Sequence, residues 1–385
     1  MNLLKYPIDE LVLSGGGLKG FYQLGSLYFY SLQKIVNPNK IDSIISNYVD
    51  NHVDITNNEF EITDEDPFDE GNATNTNIMT SSIDKDVNVG LSVVDVVDNN
   101  NDLNVYGNED TIDYFNLKYT KRIIGTSVGA IVGLLLQCGY SPLDIYSRLV
   151  LIDPLFDISK IRVLKEFKIQ DLMNLFNITK YGGVLDIDDV LYHVDDMVRD
   201  RLKKIPTLQE LYDMTGIYFE VVVTQKDKES IPLYISHLTH PTLSAVEAAK
   251  MSANLPIAFK YKYLDGKKVV DGGLCDNCPC DRISPLSKNV LVIYTPAKPK
   301  NDGPNVPQFF LDNITISINT IAEIHLSNFS KYFNANNDRG VIIKIDPDDK
   351  TTKNDVGLIQ NIETKMKKHM FKKGYRCAKK MHALE

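Results

Sequence analysis

The sequence lacks any long apolar run. Its longest apolar stretch, which includes residues 131–136, is far shorter than the roughly 20 residues that a membrane-spanning helix needs. The first residues also lack a basic segment followed by an apolar run, which a secretory signal requires. We therefore expect an intracellular, cytoplasmic protein without signal peptide or transmembrane segment, which contacts a membrane at most peripherally.

Cysteines are also few, and recognisable metal-binding motifs are absent from the sequence. Five cysteines among 385 residues are an odd number, which fits reduced thiols better than a disulfide framework. Cys275, Cys278 and Cys280 resemble half of a zinc site, but no second cysteine or histidine pair lies at ligand spacing. No EF-hand calcium loop occurs either. We expect no metal and no other cofactor.

Negative charge is concentrated in one segment. The formal net charge is −9, yet residues 50–110 contain sixteen Asp and Glu against one Lys, so the rest of the chain carries +6. Residues 49–113 are rich in Asn, Asp, Thr and Ser without sustained periodicity, which predicts a disordered insertion. An acidic regulatory or docking arm is the alternative. No basic stripe with interleaved aromatics indicates nucleic acid as a partner.

Outside the insertion, short β-branched runs alternate with helical patterns. The predicted strands are 11–13, 122–124, 219–224, 290–294 and 341–345, and the helical patterns cover 21–35, 190–202 and 208–212. Such alternation predicts an α/β fold, with a mainly parallel central sheet between two helical layers. We expect one domain over 8–297, interrupted by the insertion, and a C-terminal extension over 298–385.

A serine motif lies between a predicted strand and an apolar helix. It consists of Gly125, Thr126, Ser127, Val128 and Gly129, and it fits the pattern G-x-S-x-G. On a sharp strand-to-helix turn the serine hydroxyl projects outward, and the two glycines let the backbones pass closely. This context predicts a nucleophile elbow, and a tight structural turn is the alternative.

A glycine-rich loop follows the first predicted strand. It consists of Gly15, Gly16, Gly17, Leu18, Lys19 and Gly20. Successive glycine amides before a helix can bind an anion, either an oxyanion or the pyrophosphate of a dinucleotide. The dinucleotide alternative requires an acidic residue after a second strand, and Asp42 has the distance but follows no strand. We therefore interpret the loop as an oxyanion site.

An acidic motif follows another strand-like run. Asp271, Gly272 and Gly273 come directly after two valines. A carboxylate at this position can accept the proton of Ser127, whereas a β-turn is the alternative for an Asp-Gly-Gly sequence.

In this order the three motifs resemble the signature blocks of the patatin-like phospholipases. Residues 243–260 resemble the helix and proline turn before the acidic motif of that family, and residues 276–279 resemble the segment after that motif. The resemblance covers residues 10–285 without the insertion. The gap between Gly15 and Gly125 is longer than is usual in the family.

The resemblance implies a three-layer α/β/α patatin-like fold and a Ser-Asp dyad. Ser127 is the implied nucleophile and Asp271 its proton acceptor, while amides at Gly16, Gly17 and Leu18 bind the oxyanion. Water then releases the fatty acid from an acyl-enzyme. The implied substrate is a phospholipid or neutral lipid at a membrane surface, cleaved without a metal.

Several alternatives stay open beside this hypothesis. Lys19 is expected to shape the glycine loop, and His237 and His240 are weaker candidates for a catalytic histidine. A lipid-binding or scaffolding protein with an unused dyad and an acyltransferase with the same residues are the alternative functions. Residues 363–382 carry eight Lys and Arg against one Glu, which predicts either a membrane-binding amphipathic helix or a helix that covers the sheet edge.

Overall fold

The computed structural model describes residues 6–36, 111–152, 180–226, 230–296, 306–335, 340–345 and 364–383. Most of the predicted insertion lies outside these residues, so its disorder and its role stay predictions. The chain divides into two compact units, Met1–Ile35 with Asp113–Glu385, and Val36–Ile112. The described elements that surround the candidate site all belong to the first unit.

The strands in the described parts of the chain are short. They are β1 (Glu10–Leu13), β2 (Lys34–Val36), β3 (Thr111–Asp113), β4 (Arg122–Thr126), β5 (Gly183–Leu185), β6 (Tyr218–Lys226), β7 (Ser230–Ile235), β8 (Ile257–Phe259), β9 (Lys262–Leu264), β10 (Lys267–Asp271), β11 (Val290–Tyr294) and β12 (Gly340–Lys344).

The helices connect these strands or pack on them. They are α1 (Gly20–Ser31), α2 (Val128–Gln137), α3 (Pro142–Val150), α4 (Ile187–Val190), α5 (Tyr192–Leu202), α6 (Leu208–Thr215), α7 (Ala245–Ser252), α8 (Val306–Ala335) and α9 (Thr364–His382).

The central sheet is mainly parallel, as the sequence predicts. Its strand order is β12-β11-β1-β4-β6-β10-β9, and β7 also pairs with β6. The pairings from β12 to β6 are parallel, whereas β7, β9 and β10 pair in antiparallel fashion. Of these three strands the sequence indicated only β10, from the strand-like run before Asp271, because Pro232 interrupts the apolar pattern of β7 and β9 has only three residues.

Helices cover both faces of the sheet. On one face, Ala322, Leu326 and Phe329 of α8 pack in the same cluster as Val12 of β1 and Val292 of β11. On the other face, α1 contacts β11 and α2 contacts β1, β4 and β6. Because side chains alternate along a strand, both faces of the buried strands must be apolar. The three-layer α/β/α architecture is thereby confirmed.

The first helix is shorter than its apolar pattern predicts. The pattern runs to Ile35, but α1 ends at Ser31 and Ile35 belongs to β2, which pairs with β3. The second predicted helix, over 190–202, divides at Leu191, which has φ −104° and ψ 24° between α4 and α5. The third begins as predicted at Leu208, where Thr207 and Glu210 form a capping box.

The C-terminal helix α9 packs along α1 at very short range. A Cβ atom on Gly374 would lie 2.0 Å from the carbonyl oxygen of Tyr22, so the close approach requires glycine. Ser26 Oγ also donates to Gly374 O at 2.9 Å. The apolar side of α9, with Met370 and Phe371, is buried. Therefore α9 covers α1 and contacts β12, and its apolar side is not available to a bilayer.

In the described parts of the chain, no helix is both long enough and apolar enough to cross a bilayer.

Candidate active site

Ser127 occupies a strained turn between β4 and α2. Its backbone has φ 54° and ψ −122°, a conformation that costs a residue with a side chain about 1–3 kcal/mol. A Cβ atom on Gly125 would lie 2.6 Å from Ala130 N, and one on Gly129 would lie 2.3 Å from Leu13 O. Both glycines are needed because the strand and helix backbones pass this closely. The geometry is that expected of a nucleophile elbow.

The sheet register brings Asp271 to this turn. Strand β7 pairs with one edge of β6, so β4 and β10 share the other edge. Thr126, the last residue of β4, pairs with Val222, and Asp271, the last residue of β10, pairs with Val223. The two strands therefore run toward each other along β6, and their carboxyl ends meet there.

The Ser127 hydroxyl and the Asp271 carboxylate are in direct contact. Ser127 Oγ donates a hydrogen bond to Asp271 Oδ2 at 2.7 Å, and Asp271 Oδ1 accepts one from Gly273 N at 2.7 Å. A Cβ atom on Gly272 would lie 2.1 Å from Val222 O, so the chain passes β6 only with glycine there. The structure thus unites two residues that are 144 positions apart in the sequence.

Burial makes Asp271 a stronger base than a surface aspartate. Its side chain is almost enclosed, and the loss of hydration raises the pKa of the carboxyl to about 6. The hydrogen bonds from Ser127 and Gly273 act in the opposite direction, because both stabilise the charged form. At neutral pH the carboxylate is still ionised and can accept a proton.

The glycine-rich loop lies beside Ser127. Leu13 pairs with Gly125 in the sheet, so the loop leaves β1 at the edge where Ser127 leaves β4. A Cβ atom on Gly15 would lie 3.2 Å from Ser127 Cβ. Among the described residues, the amides of Gly16 and Gly17 have no hydrogen-bond acceptor. These donors are suited to an oxyanion that develops next to the serine.

Contacts below the loop hold it in place. Lys19 is buried, and its Nζ donates to Pro296 O at 2.8 Å. Gln23 Nε2 donates to Ser14 O at 2.6 Å, and Thr295 N donates to Ser14 Oγ at 3.0 Å. Lys19 thus anchors the loop to the segment after β11.

Other residues support the two motifs, although no sequence pattern assigned them a role. Ser252, at the end of α7, accepts a hydrogen bond from Ser127 N at 2.8 Å. Asn254 O accepts from Asp271 N at 2.9 Å, and Asn277 O accepts from Gly15 N at 3.0 Å. All three lie in the two further segments that resemble the family, which was the one signal that pointed to them. Their partners could not be read from spacing, because the contacts join distant segments.

Asp276 connects the acidic motif to the C-terminal extension. It is buried, and His325 Nδ1 of α8 lies 3.0 Å from its Oδ1, while Tyr234 OH donates to its Oδ2 at 2.9 Å. Thr126 Oγ1 donates to the backbone oxygen of Asp276 at 3.0 Å. The hydrogen bond that His325 donates to Asp276 raises the pKa of His325, and the charge of Asp281 adds to the effect.

The weaker histidine and cysteine candidates lie elsewhere. His237 stacks on Tyr212 with ring centroids 3.9 Å apart, and His240 Nε2 lies 3.4 Å from Asp265. Cys278 and Cys280 are buried with sulfur atoms 3.7 Å apart. Within the described ranges, no group of three or more His, Cys, Asp or Glu could hold a metal ion.

An apolar cavity of about 70 Å³ adjoins the glycine loop and the elbow. It is lined by the loop, by α1 and α2, and by residues at the start of α5. Leu18 of the loop and Val128, which follows Ser127 in the sequence, are among its lining residues, and His193 is its polar exception. The cavity offers an apolar surface at the residue that follows the serine, Val128.

Part of the chain matches a known protein family. Residues 112–282 match the family model described as patatin-like phospholipase. This segment, which makes up less than half of the chain, is similar to the patatin-like phospholipases and includes both Ser127 and Asp271. This agrees with the resemblance seen in the motifs.

Two viral proteins are similar to this chain. "Probable lipid hydrolase 463L" of Invertebrate iridescent virus 6 is 29% identical over 163 residues, which is 41% of this chain and 51% of that protein. "Uncharacterized protein R571" of Acanthamoeba polyphaga mimivirus is 22% identical over 276 residues, which is 69% of this chain and 84% of that protein. The match thus spans about half of the iridescent-virus protein.

Among solved structures, VipD from Legionella pneumophila has a TM-score of 0.43 at 15% identity, covering 98% of this chain and 67% of VipD. The type III effector ExoU has a TM-score of 0.41 at 12% identity, covering 98% of this chain and 53% of ExoU.

Proposed function

We propose that this protein is a lipid acyl hydrolase that cleaves fatty acyl esters with a Ser127–Asp271 dyad. The observation that carries the proposal is the 2.7 Å hydrogen bond between Ser127 Oγ and Asp271 Oδ2 on a strained elbow. The match of residues 112–282 to the patatin-like phospholipases supports the same reaction class.

In the proposed first step, Ser127 Oγ attacks the ester carbonyl carbon while its proton passes to Asp271. The carbonyl oxygen becomes an oxyanion, which amides of Gly16 and Gly17, and of Leu18 beside them, stabilise. Each well-aimed donor of this kind is worth about 3–4 kcal/mol of barrier. As the tetrahedral intermediate collapses, the C–O bond breaks and the leaving alkoxide takes the proton from Asp271.

In the second step, water attacks the acyl-enzyme. Asp271 accepts a proton from that water, and a second oxyanion forms in the same amide site. Collapse then breaks the bond to Ser127, whose oxygen regains the proton from Asp271. The products are a fatty acid, an alcohol and the free enzyme.

The cavity next to Leu18 and Val128 supports a substrate with an apolar chain. An acyl group bound against these side chains would leave water, at about 25 cal/mol per Å² of buried apolar area. Phospholipids and neutral lipids, both found at membrane surfaces, carry such chains. The lipid hydrolase description of the iridescent-virus relative agrees with this substrate class.

Two other functions use the same geometry. An acyltransferase would pass the acyl group to an alcohol instead of water, and a scaffolding protein would bind lipid without turnover. The strained backbone at Ser127 favours an active nucleophile over a scaffold. If the serine had no function, glycine could occupy this position without the strain.

Labelling with a serine-reactive fluorophosphonate tests the proposal. We expect wild type to be labelled, Ser127→Ala not to be labelled, and Asp271→Asn to be labelled much more slowly. Ser287→Ala, which changes another serine in the loop before β11, is the matched control and should label like wild type. Lipid mass spectrometry of mixed membranes then identifies the products as free fatty acids or new esters. Unlabelled, catalytically silent wild-type protein on lipid vesicles would contradict the proposal.

A further inference from the structure

Strands β9 and β10 form a hairpin that leads into the candidate active site, because β10 ends at Asp271. Its turn consists of Asp265 and Gly266, which have φ angles of 50° and 76°, as a tight type I′ turn requires. Strand β10 runs down from this turn and ends at Asp271. Lys268 is therefore only three residues, ~10 Å of extended strand, from the proposed base.

Strand β6 extends toward the same side. Thr126 pairs with Val222, and Val222 lies four residues before Lys226, the last residue of β6. Because β4 and β6 are parallel, Lys226 lies ~13 Å beyond the end of β4, on the side where Ser127 emerges. The ends of β6 and of the hairpin are thus both on the catalytic side of the sheet.

One face of this region combines lysines with tyrosines. Lys226 and Lys268 both lie over the ring of Tyr261, with Nζ atoms 4.8 and 4.7 Å from its centroid. Lys226 Nζ also donates to the Tyr261 hydroxyl at 2.6 Å. Tyr263 lies directly opposite Lys268 in the hairpin and is 58% exposed. Tyr261 N donates to Tyr181 O, which adds a second exposed tyrosine.

We call this surface the lysine–tyrosine patch. It comprises Tyr181, Lys226, Tyr261, Tyr263 and Lys268.

The charge of the lysine–tyrosine patch is strongly one-sided. Its two lysines are exposed, and among the described residues neither Lys226 nor Lys268 has a carboxylate partner. The exposed Asp265 in the hairpin turn is close to His240. Residues 227–229 lie outside the described ranges and add one net negative charge by sequence. Two ammonium groups on one ring repel each other, so an external anion stabilises the arrangement.

We propose that the lysine–tyrosine patch docks the protein on an anionic lipid bilayer, with the catalytic side facing the membrane. Lysines attract acidic headgroups, and tyrosines are suited to the interface because one end is apolar and the other polar. The alternative surface, the basic helix α9, has its apolar side packed on α1. The biological role of this docking surface rests on the proposed function. The binding experiment that tests it does not require catalysis.

Vesicle sedimentation tests the patch directly. All binding variants carry Ser127→Ala, so that no lipid is consumed during the measurement. On phosphatidylcholine vesicles that contain phosphatidylserine, Lys226→Gln with Lys268→Gln should weaken partitioning about 5-fold per lysine, or roughly 25-fold together. The matched control, Lys365→Gln with Lys368→Gln, removes two exposed charges from α9 and should bind as before.

A second set of variants separates the contribution of the tyrosine side chain to vesicle binding from that of the lysine charges. Tyr263→Ala should weaken partitioning on vesicles of phosphatidylcholine alone. Leu286→Ala is its control, since Leu286 is 87% exposed but precedes the start of β11, on the opposite side of the sheet. Equal losses in patch and control variants, or no sedimentation of the Ser127→Ala parent, would overturn the inference.

Activity measurements keep this inference apart from the proposed function. With Ser127 restored, the Lys226→Gln and Lys268→Gln variant should hydrolyse a soluble ester, p-nitrophenyl butyrate, like wild type. It should lose vesicle hydrolysis in proportion to binding. Wild type that sediments with vesicles but hydrolyses neither substrate would refute the proposed function and leave the docking surface supported.

Discussion

The side-chain hydroxyl of Ser252 accepts a hydrogen bond from the backbone N–H of Ser127 at 2.8 Å and donates one to the carbonyl oxygen of Val222. It thereby joins the strained elbow to β6, the strand along which β4 and β10 meet. Ser252 is buried, so water cannot replace it without rearrangement. The geometry of the dyad thus depends on a residue that touches neither substrate nor base.

Ser252→Ala should therefore lower both stability and activity. It leaves the buried Ser127 N–H without an acceptor, which costs about 1–3 kcal/mol. We expect a lower urea midpoint and a kcat/KM reduced about tenfold, since small displacements of a nucleophile slow attack. Ser236→Ala, which removes another buried hydroxyl outside the site, controls for the general effect of a lost hydrogen bond. If kcat/KM were unchanged, Ser252 would have no role in positioning the elbow.

The strain at Ser127 predicts an order of stability among inactive variants. Alanine retains the cost of φ 54°, whereas glycine adopts this backbone freely but loses more entropy on folding. Ser127→Gly should therefore exceed Ser127→Ala in free energy of unfolding by about 1 kcal/mol. The same pair of substitutions at Ser26, within α1, should give the reverse order. Urea unfolding measures both pairs, and a less stable Ser127→Gly would show that the elbow is relaxed.

The fall of kcat/KM at acidic pH should reflect the protonation of Asp271. Protonated Asp271 cannot accept the Ser127 proton, so kcat/KM should fall about tenfold per pH unit below an apparent pKa of about 6. The measurement uses an uncharged ester and circular dichroism to exclude unfolding. An acid limb near the ordinary aspartate pKa of about 4 would contradict the role of burial.

The same shift has a signature in stability. Because the folded pKa of Asp271 lies above the ordinary value of 3.8, the buried charge lowers stability as pH rises from there to about 6. Asp271→Asn carries no charge, so its stability relative to wild type should rise over that range. A pH-independent difference would show that Asp271 does not titrate in this range.

His325 should stabilise the protein in its protonated form. Its pKa is raised by the hydrogen bond to Asp276, so its contribution is complete below the unfolded pKa of about 6.5 and is lost as pH rises through the folded pKa. The destabilisation caused by His325→Gln should therefore be larger near pH ~6 than near pH ~9. His240→Gln, at the exposed pair with Asp265, is the matched control. An equal loss at both pH values would mean that His325 acts only through its shape.

The sequence by itself determined the class of fold and the residues of the two central motifs. Short β-branched runs and apolar patterns with helical period are local, and they predicted β1, β4, β11 and a mainly parallel sheet. The glycines around Ser127 and after Asp271 were equally readable as motif positions, but two of the close approaches that require them, Gly129 to Leu13 O and Gly272 to Val222 O, join distant segments. Helix ends were less predictable, since pairing between β2 and β3 competes with the apolar pattern that continues α1 to Ile35.

Only the tertiary structure decided how these parts meet. No local pattern reveals that β4 and β10 pair with the same edge of β6 and that their carboxyl ends meet there. This arrangement depends on which strands compete for each edge of β6. The same holds for Ser252 below the elbow and for Lys226 and Lys268 on one tyrosine ring. Sequence periodicity specifies what a residue does within its own strand or helix. The contact between Ser127 and Asp271 exists because chain folding places distant segments against the same strand.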